Sequence, residues 1–132
     1  MAAAILDMDW HMISDTRKRN SVDFDAESMR RIGLIREILP RYNSWYFNHI
    51  FGSDFGYSAG YYSYTWSAVL DADAFQAFEE TGDIFNKEVA LRFRETVLSL
   101  GSSVDSDELY RRFRGRDVKP DAYYQRKGFA KR

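Results

Sequence analysis

The sequence predicts an all-α fold, and three observations carry that reading. Only two of its 132 residues are proline. Its apolar residues recur at helical spacing, and no stretch alternates as a strand would. Residues that cap helices, among them Asn86, Gly101, Asp105 and Gly115, stand where those apolar runs begin and end.

The elements follow in order. Residues 2–14 read as a first helix with Ile5, Leu6, Trp10 and Ile13 on one side and no capping residue before it. Residues 15–22 are a polar loop. Asp23 is placed to cap a second helix over 24–33, which closes near Gly33. Pro40 breaks the chain, and 42–50 reads as a third helix. Residues 52–56 are rich in turn formers. The fourth helix, 57–80, is the longest and stops before Gly82. Asn86 is a natural N-cap for a fifth helix through Leu100, with Gly101 following it. Asp105 and Glu108 have the spacing of a capping box, and the helix they open ends at Gly115. Pro120 starts a last short helix to Lys127. The whole, residues 1–132, is expected to be a single helical domain.

Bulk properties narrow the function. Hydrophobic residues make up 45% of the chain and aromatic residues 17%, enough for a core. The net charge of −1 gives no reason to expect a nucleic-acid partner. Residues 111–132 hold nine Lys or Arg against two Asp. They read as a solvated basic end whose acidic counterpart lies elsewhere in the fold, with an acidic partner as the other reading. There is no cysteine, so disulfides and thiolate metal sites are excluded. No run approaches the roughly 18 apolar residues of a membrane span. The start lacks the basic region and long apolar stretch of a signal peptide. A cytoplasmic protein is expected.

The stretch from Gly56 to Trp66 is the least ordinary. It holds Tyr57, Tyr61, Tyr62 and Tyr64, four of the nine tyrosines. On a helix, Tyr57, Tyr61 and Tyr64 fall on one face, and Tyr62, Trp66, Val69 and Ala72 fall opposite. Such phenols suit a core wall, or a cleft where several hydroxyls meet one ligand. A helix apolar on both faces is buried on both. A domain this size buries only about two-thirds of its chain surface, so something outside the chain is expected to cover the tyrosines. A homodimer through the Tyr57, Tyr61 and Tyr64 face is one such cover.

Complete catalytic machinery is absent. Two histidines, His11 and His49, cannot build a zinc site of three or four ligands. No phosphate loop or nucleophile elbow occurs. Neighbouring carboxylates (Asp7 and Asp9, Asp71 and Asp73, Glu79 and Glu80) point apart and read as solvated faces or caps. His11 reads as a core or rim histidine.

Several motifs, taken together, resemble a known family. They are Ala3-Ala4-Ile5-Leu6-Asp7-Met8-x-Trp10-His11, Phe47-x-His49-Ile50-Phe51, the block Gly56–Trp66, Ala72-Asp73-Ala74-Phe75, Phe93-Arg94, Leu98-Ser99-x-Gly101-Ser102 and Phe113-Arg114-Gly115-Arg116. In this order and spacing the chain resembles the C-terminal part of zinc oligopeptidases, the family of thimet oligopeptidase, in the pattern of its bacterial peptidyl-dipeptidase branch. The resemblance implies a multi-helix C-terminal subdomain of a zincin-like oligopeptidase. The His-Glu-x-x-His helix and third zinc ligand of the family lie upstream of everything seen here. The chain is therefore expected to be a fragment that binds no zinc itself and depends on an upstream zinc-binding half.

The resemblance also implies roles. Tyr64 would donate a hydrogen bond to the oxyanion of the tetrahedral intermediate, and Tyr57 would bind the substrate backbone or carboxylate. Tyr61 matches a third tyrosine of the substrate channel. Gly56 and Gly60 belong to the loop that lets these tyrosines approach a peptide. His49 matches a substrate-contacting histidine, although the segment 52–55 is longer than the family pattern. The expected function is the C-terminal part of a zinc metallopeptidase that releases dipeptides or cleaves short oligopeptides. The alternative is a non-enzymatic helical module that binds a peptide or a protein through the aromatic face.

Overall fold

In the computed structural model the structure describes residues 1–15, 17–53 and 55–129. Lys131 and Arg132, counted above in the basic end, lie outside the described residues. The fold is all-α: among the described residues there is no β-strand. Six α-helices occur among them: α1 (Ala2–His11), α2 (Ser21–Arg31), α3 (Ser63–Glu79), α4 (Lys87–Phe93), α5 (Ser106–Arg114) and α6 (Asp121–Arg126). The chain divides into two compact units, Met1–Thr65 and Trp66–Arg132.

In the first unit, Leu6 of α1, Met29 of α2, and Phe47 and Ile50 form the buried core. Trp10 packs on Phe24 with ring centres 4.0 Å apart and donates its indole N–H to the Ser44 hydroxyl at 2.6 Å. The second helix starts earlier than Asp23. Asn20 is its cap, accepting from the N–H groups of Val22 (2.9 Å) and Asp23 (3.3 Å). It ends in the bonding pattern of a Schellman motif, Leu34 N–H to the Met29 carbonyl and Gly33 N–H to the Arg30 carbonyl. That motif needs a left-handed residue, and Gly33 supplies it at φ 72°.

Two expected helices are corrected here. Residues 42–50 are not an α-helix but turns closed by a 3₁₀ turn, Asn48–Ile50. Side chains divert the backbone: Asn43 accepts from Trp45 N–H at 3.2 Å, and Asp25 accepts from Ser44 N–H at 2.9 Å and from its hydroxyl. The tight path still delivers Phe47 and Ile50 fully buried to the core. The long helix likewise begins at Ser63, not at residue 57. Residues 57–62 are turns, because Ala59 adopts a left-handed φ of 54° that no α-helix accommodates. Tyr57, Tyr61 and Tyr64 therefore do not share one helical face.

In the second unit, Ala77, Val89 and Phe113 form the core, with Phe93 edge-on to Phe113 at 5.1 Å. Asn86 caps α4 as expected, accepting from Glu88 N–H (3.1 Å) and Val89 N–H (3.0 Å). The helix does not run unbroken to Leu100. Arg94–Leu98 is a π-helical turn. Thr96 and Ser99 hydroxyls donate to the Arg92 and Glu95 carbonyls at 2.7 and 2.9 Å, and Ser99 N–H reaches back to the Arg94 carbonyl. Helix α5 starts after Asp105, whose side chain makes no capping bond, so the capping box is not closed. Gly115 ends it at φ 71°.

The basic end finds its acids inside this unit. Asp73 is fully buried, which corrects its reading as a solvated carboxylate. It accepts two bonds from the Arg116 guanidinium (2.6 and 2.8 Å), one from the Tyr110 hydroxyl (2.5 Å) and one from Lys119 N–H (3.2 Å). Arg114 makes a two-pronged pair with Glu80 at 2.9 and 3.0 Å. Arg126 reaches Asp71 at 2.5 Å. No helix among the described residues is long and apolar enough to cross a membrane.

Candidate functional site

The first unit assembles the tyrosines by turns instead of a helix face. Tyr61, half-buried, is the centre of the group. Its ring lies 4.9 Å from Phe47, 5.4 Å from His49, 5.8 Å from Tyr42 and 5.1 Å from Tyr64. His49 is edge-on to Tyr57 at 5.7 Å and to Tyr42 at 5.2 Å. Four residues singled out in the sequence, His49, Tyr57, Tyr61 and Tyr64, are thus brought into one aromatic group. Edge-on contacts of this kind set positive ring edges against π faces and hold each ring's orientation.

Exposure sorts these rings. Tyr57 is 56% exposed and Tyr64 65%, so both hydroxyl-bearing side chains are open to an incoming ligand. Tyr61 is held back. Burial, with the phenol of Tyr42 beside it, pushes its hydroxyl up to about 12, so it stays a protonated donor across the working range of proteins. Tyr64 sits in the first turn of α3, a rigid element, while Tyr57 sits in the preceding turns.

The two glycines shape the turns of this loop. Gly56 and Gly60 each close a turn, by N–H bonds to the Ser53 and Tyr57 carbonyls, both 3.0 Å. The left-handed backbone falls on Ala59 and on neither glycine. A side chain at Gly56 would come within 3.2 Å of the Ser53 carbonyl, so the close packing of this turn favours glycine.

Three contributors were not singled out for this site. Tyr42 stacks on Phe47 at 4.7 Å and faces both His49 and Tyr61. Ser58 donates its hydroxyl to the Ile50 carbonyl at 2.7 Å. Asp7 is wholly buried, which corrects its reading as a solvated carboxylate, and it accepts from Ala59 N–H (2.9 Å) and Tyr61 N–H (2.8 Å). The one available signal was an acidic residue embedded among Ala4, Ile5, Leu6 and Met8. His11 is a rim histidine, with Nδ1 2.9 Å from that carboxylate and its ring stacked on Phe51.

Among the described residues no group of three or more His, Cys, Asp or Glu could hold a metal ion. The described residues do not fit a zinc site. What the group can offer is phenolic donors and an imidazole on an aromatic bed, suited to hydrogen-bonding carbonyl or carboxylate oxygens.

The model of the family described as peptidase family M3 matches residues 1–129. The chain is 42% identical over 130 residues to dipeptidyl carboxypeptidase of Escherichia coli, covering 97% of the chain and 19% of that protein. It is 38% identical over 125 residues to oligopeptidase A of Haemophilus influenzae, covering 94% of the chain and 18% of that protein. Against oligopeptidase A of Escherichia coli identity is 50% over 82 residues, covering 62% of the chain and 12% of that protein. The chain thus spans about a fifth of the length of the first two of these relatives, and its match to the third spans 12% of that protein. A family match over residues 1–129, which takes in every described residue, leads to one conclusion: this chain belongs to peptidase family M3.

Proposed function

We propose that this chain forms part of the substrate channel of a peptidase that releases dipeptides or cleaves short oligopeptides, supplying the channel wall and the oxyanion-stabilising tyrosines. The observation that carries this is the pair of exposed phenols, Tyr57 and Tyr64, flanking the half-buried Tyr61 and His49. Tyr64 is the oxyanion donor: a neutral phenol can give its proton in a hydrogen bond to charge that develops on the former carbonyl oxygen. Tyr57 and His49 hold the substrate's backbone or carboxylate, with Tyr61 behind them. Water activation and the zinc that peptidases of this kind use are assigned to an upstream half, since among the described residues no group of three or more His, Cys, Asp or Glu could hold the metal.

The isolated chain is expected to keep no stoichiometric zinc after dialysis and to release no dipeptide. Joined to or mixed with a zinc-binding half, it is expected to restore dipeptide release that a chelator abolishes. Zinc retained by the chain alone overturns the division of labour. Tight binding of a short peptide by the chain alone, with no activity in any reconstitution, favours a binding module instead.

A second copy is the proposed cover for the open tyrosines when no upstream half is present. Tyr57 and Tyr64 are each more than half exposed beside the half-buried Tyr61, and large apolar patches are seldom left bare. A twofold pairing uses one patch twice and closes. Sedimentation equilibrium at micromolar concentration is expected to show a dimer, and Tyr64→Glu to return it to a monomer. A monomeric parent chain at these concentrations rules the pairing out.

A further inference from the structure

We infer that Asp7 is the positioning residue of the tyrosine loop: from α1, its carboxylate holds the turn that carries Tyr57 and Tyr61 against His49. This deepens the channel reading above and rests on it. Asp7 is 0% exposed. Its partners are the N–H groups of Ala59 and Tyr61, 52 and 54 residues away in sequence, and His11 Nδ1. A buried carboxylate needs such donors, because water no longer solvates it.

The geometry of the turn makes the carboxylate more than a generic contact. Ala59 stands at φ 54°, a conformation that a residue with a Cβ disfavours. A left-handed residue flanked by N–H groups that converge on one anion is a nest, and the anion holds the nest in shape. Here the anion is a side chain of the protein itself. Its two oxygens each take one amide, Oδ1 that of Ala59 and Oδ2 that of Tyr61. The second amide belongs to the residue whose ring touches His49, Phe47, Tyr42 and Tyr64. Ser58 adds a second tie, to the Ile50 carbonyl, on the other side of Ala59. Losing Asp7 therefore moves the ring at the centre of the group, and through it the two rings at its edge.

The test uses two variants. Asp7→Asn keeps the shape but sets an amide N–H₂ against one of the two backbone donors. Asp7→Glu keeps both oxygens on a stem one methylene longer, which displaces the loop without orphaning it. In the 132-residue chain, Asp7→Asn is expected to speed hydrogen exchange at the Ala59 and Tyr61 amides by about tenfold or more. In a full-length enzyme that contains the chain, both variants are expected to lower kcat about ten- to a hundredfold with KM little changed. Met29→Ala, a core change in the same unit, is expected to lower stability but keep kcat at a temperature where the protein stays folded. The loss from Asp7→Asn is expected to shrink when Tyr64 is already Phe, because the two act through one geometry.

Unchanged exchange at Ala59 and Tyr61 in Asp7→Asn overturns the inference. So does wild-type kcat in either folded Asp7 variant, and Asp7→Glu decides the matter if Asp7→Asn does not fold. A Tyr64→Phe enzyme with full activity overturns the catalytic reading instead. Exchange at the two amides then still judges whether Asp7 holds the loop.

Discussion

Tyr64→Phe, made in a full-length enzyme that contains this chain, is expected to lower kcat about 10²- to 10³-fold while KM stays within a few-fold. The substitution removes one hydroxyl and nothing else. Phenylalanine keeps the ring and its 5.1 Å contact with Tyr61, and the first turn of α3 keeps its residues. The loss therefore isolates a hydrogen bond that strengthens as the carbonyl oxygen becomes an oxyanion. An interaction made mainly in the transition state appears in kcat, whereas one made equally in the ground state appears in KM. Tyr57→Phe, by contrast, is expected to act mainly on KM, since Tyr57 is assigned to the bound substrate. Steady-state kinetics on one peptide with both variants checks the assignment. A Tyr64→Phe enzyme within about twofold of the parent, beside a dead Tyr57→Phe enzyme, would show the roles to be wrong.

The second large effect is on stability. Asp73→Asn is expected to destabilise the chain by about 3–5 kcal/mol, because it removes the anionic partner of a buried network. Arg114 and Arg116 would lose that counter-charge, with the Arg114 side chain only 5% exposed. Burial alone would raise the Asp73 carboxyl, but the bonds from Arg116, Tyr110 and Lys119 N–H outweigh it and bring the group down to about 2, from an ordinary 3.8. Tyr110 moves the other way: burial, then its bond to the Asp73 carboxylate, pushes its hydroxyl well above the usual range.

The sign of the pH dependence follows. A carboxyl depressed on folding contributes stability above its unfolded value, near pH 4, and loses it as pH falls toward 2. That contribution is about 2 kcal/mol. Urea unfolding of the parent and Asp73→Asn chains at pH 7, 4 and 2 measures it. The gap between them is expected to be full at pH 7 and to narrow by about that amount between pH 4 and pH 2. A gap below about 1 kcal/mol at pH 7 would mean the network is not the anchor its burial suggests.

Local chemistry made much of this fold legible in the sequence. Helix period and capping act within about one turn, so α1, α2, α5 and α6 fall close to where the residues place them, and Asn86 caps α4 as read. Family membership was legible for the same reason that motifs are: the residues of each block lie side by side in the chain. Four residues of the aromatic group, His49, Tyr57, Tyr61 and Tyr64, are also legible in the sequence, whereas Tyr42 is not.

What the sequence could not reveal is how those residues come together. Helical spacing placed three tyrosines on one face, but the structure gathers them through turns. The deciding partners are distant in the chain. Asp25 reaches Ser44 across 19 residues, and Asp7 reaches Ala59 across 52. Each is a carboxylate beside apolar neighbours that periodicity alone assigns to solvent or a cap. Tertiary packing instead buries Asp7 and Asp73, and a buried carboxylate must find donors wherever the fold supplies them. Periodicity and capping are written over three or four residues and can be read from them. The turn at Ala59 and the network around Asp73 depend on donors and acceptors that become neighbours only when the chain folds.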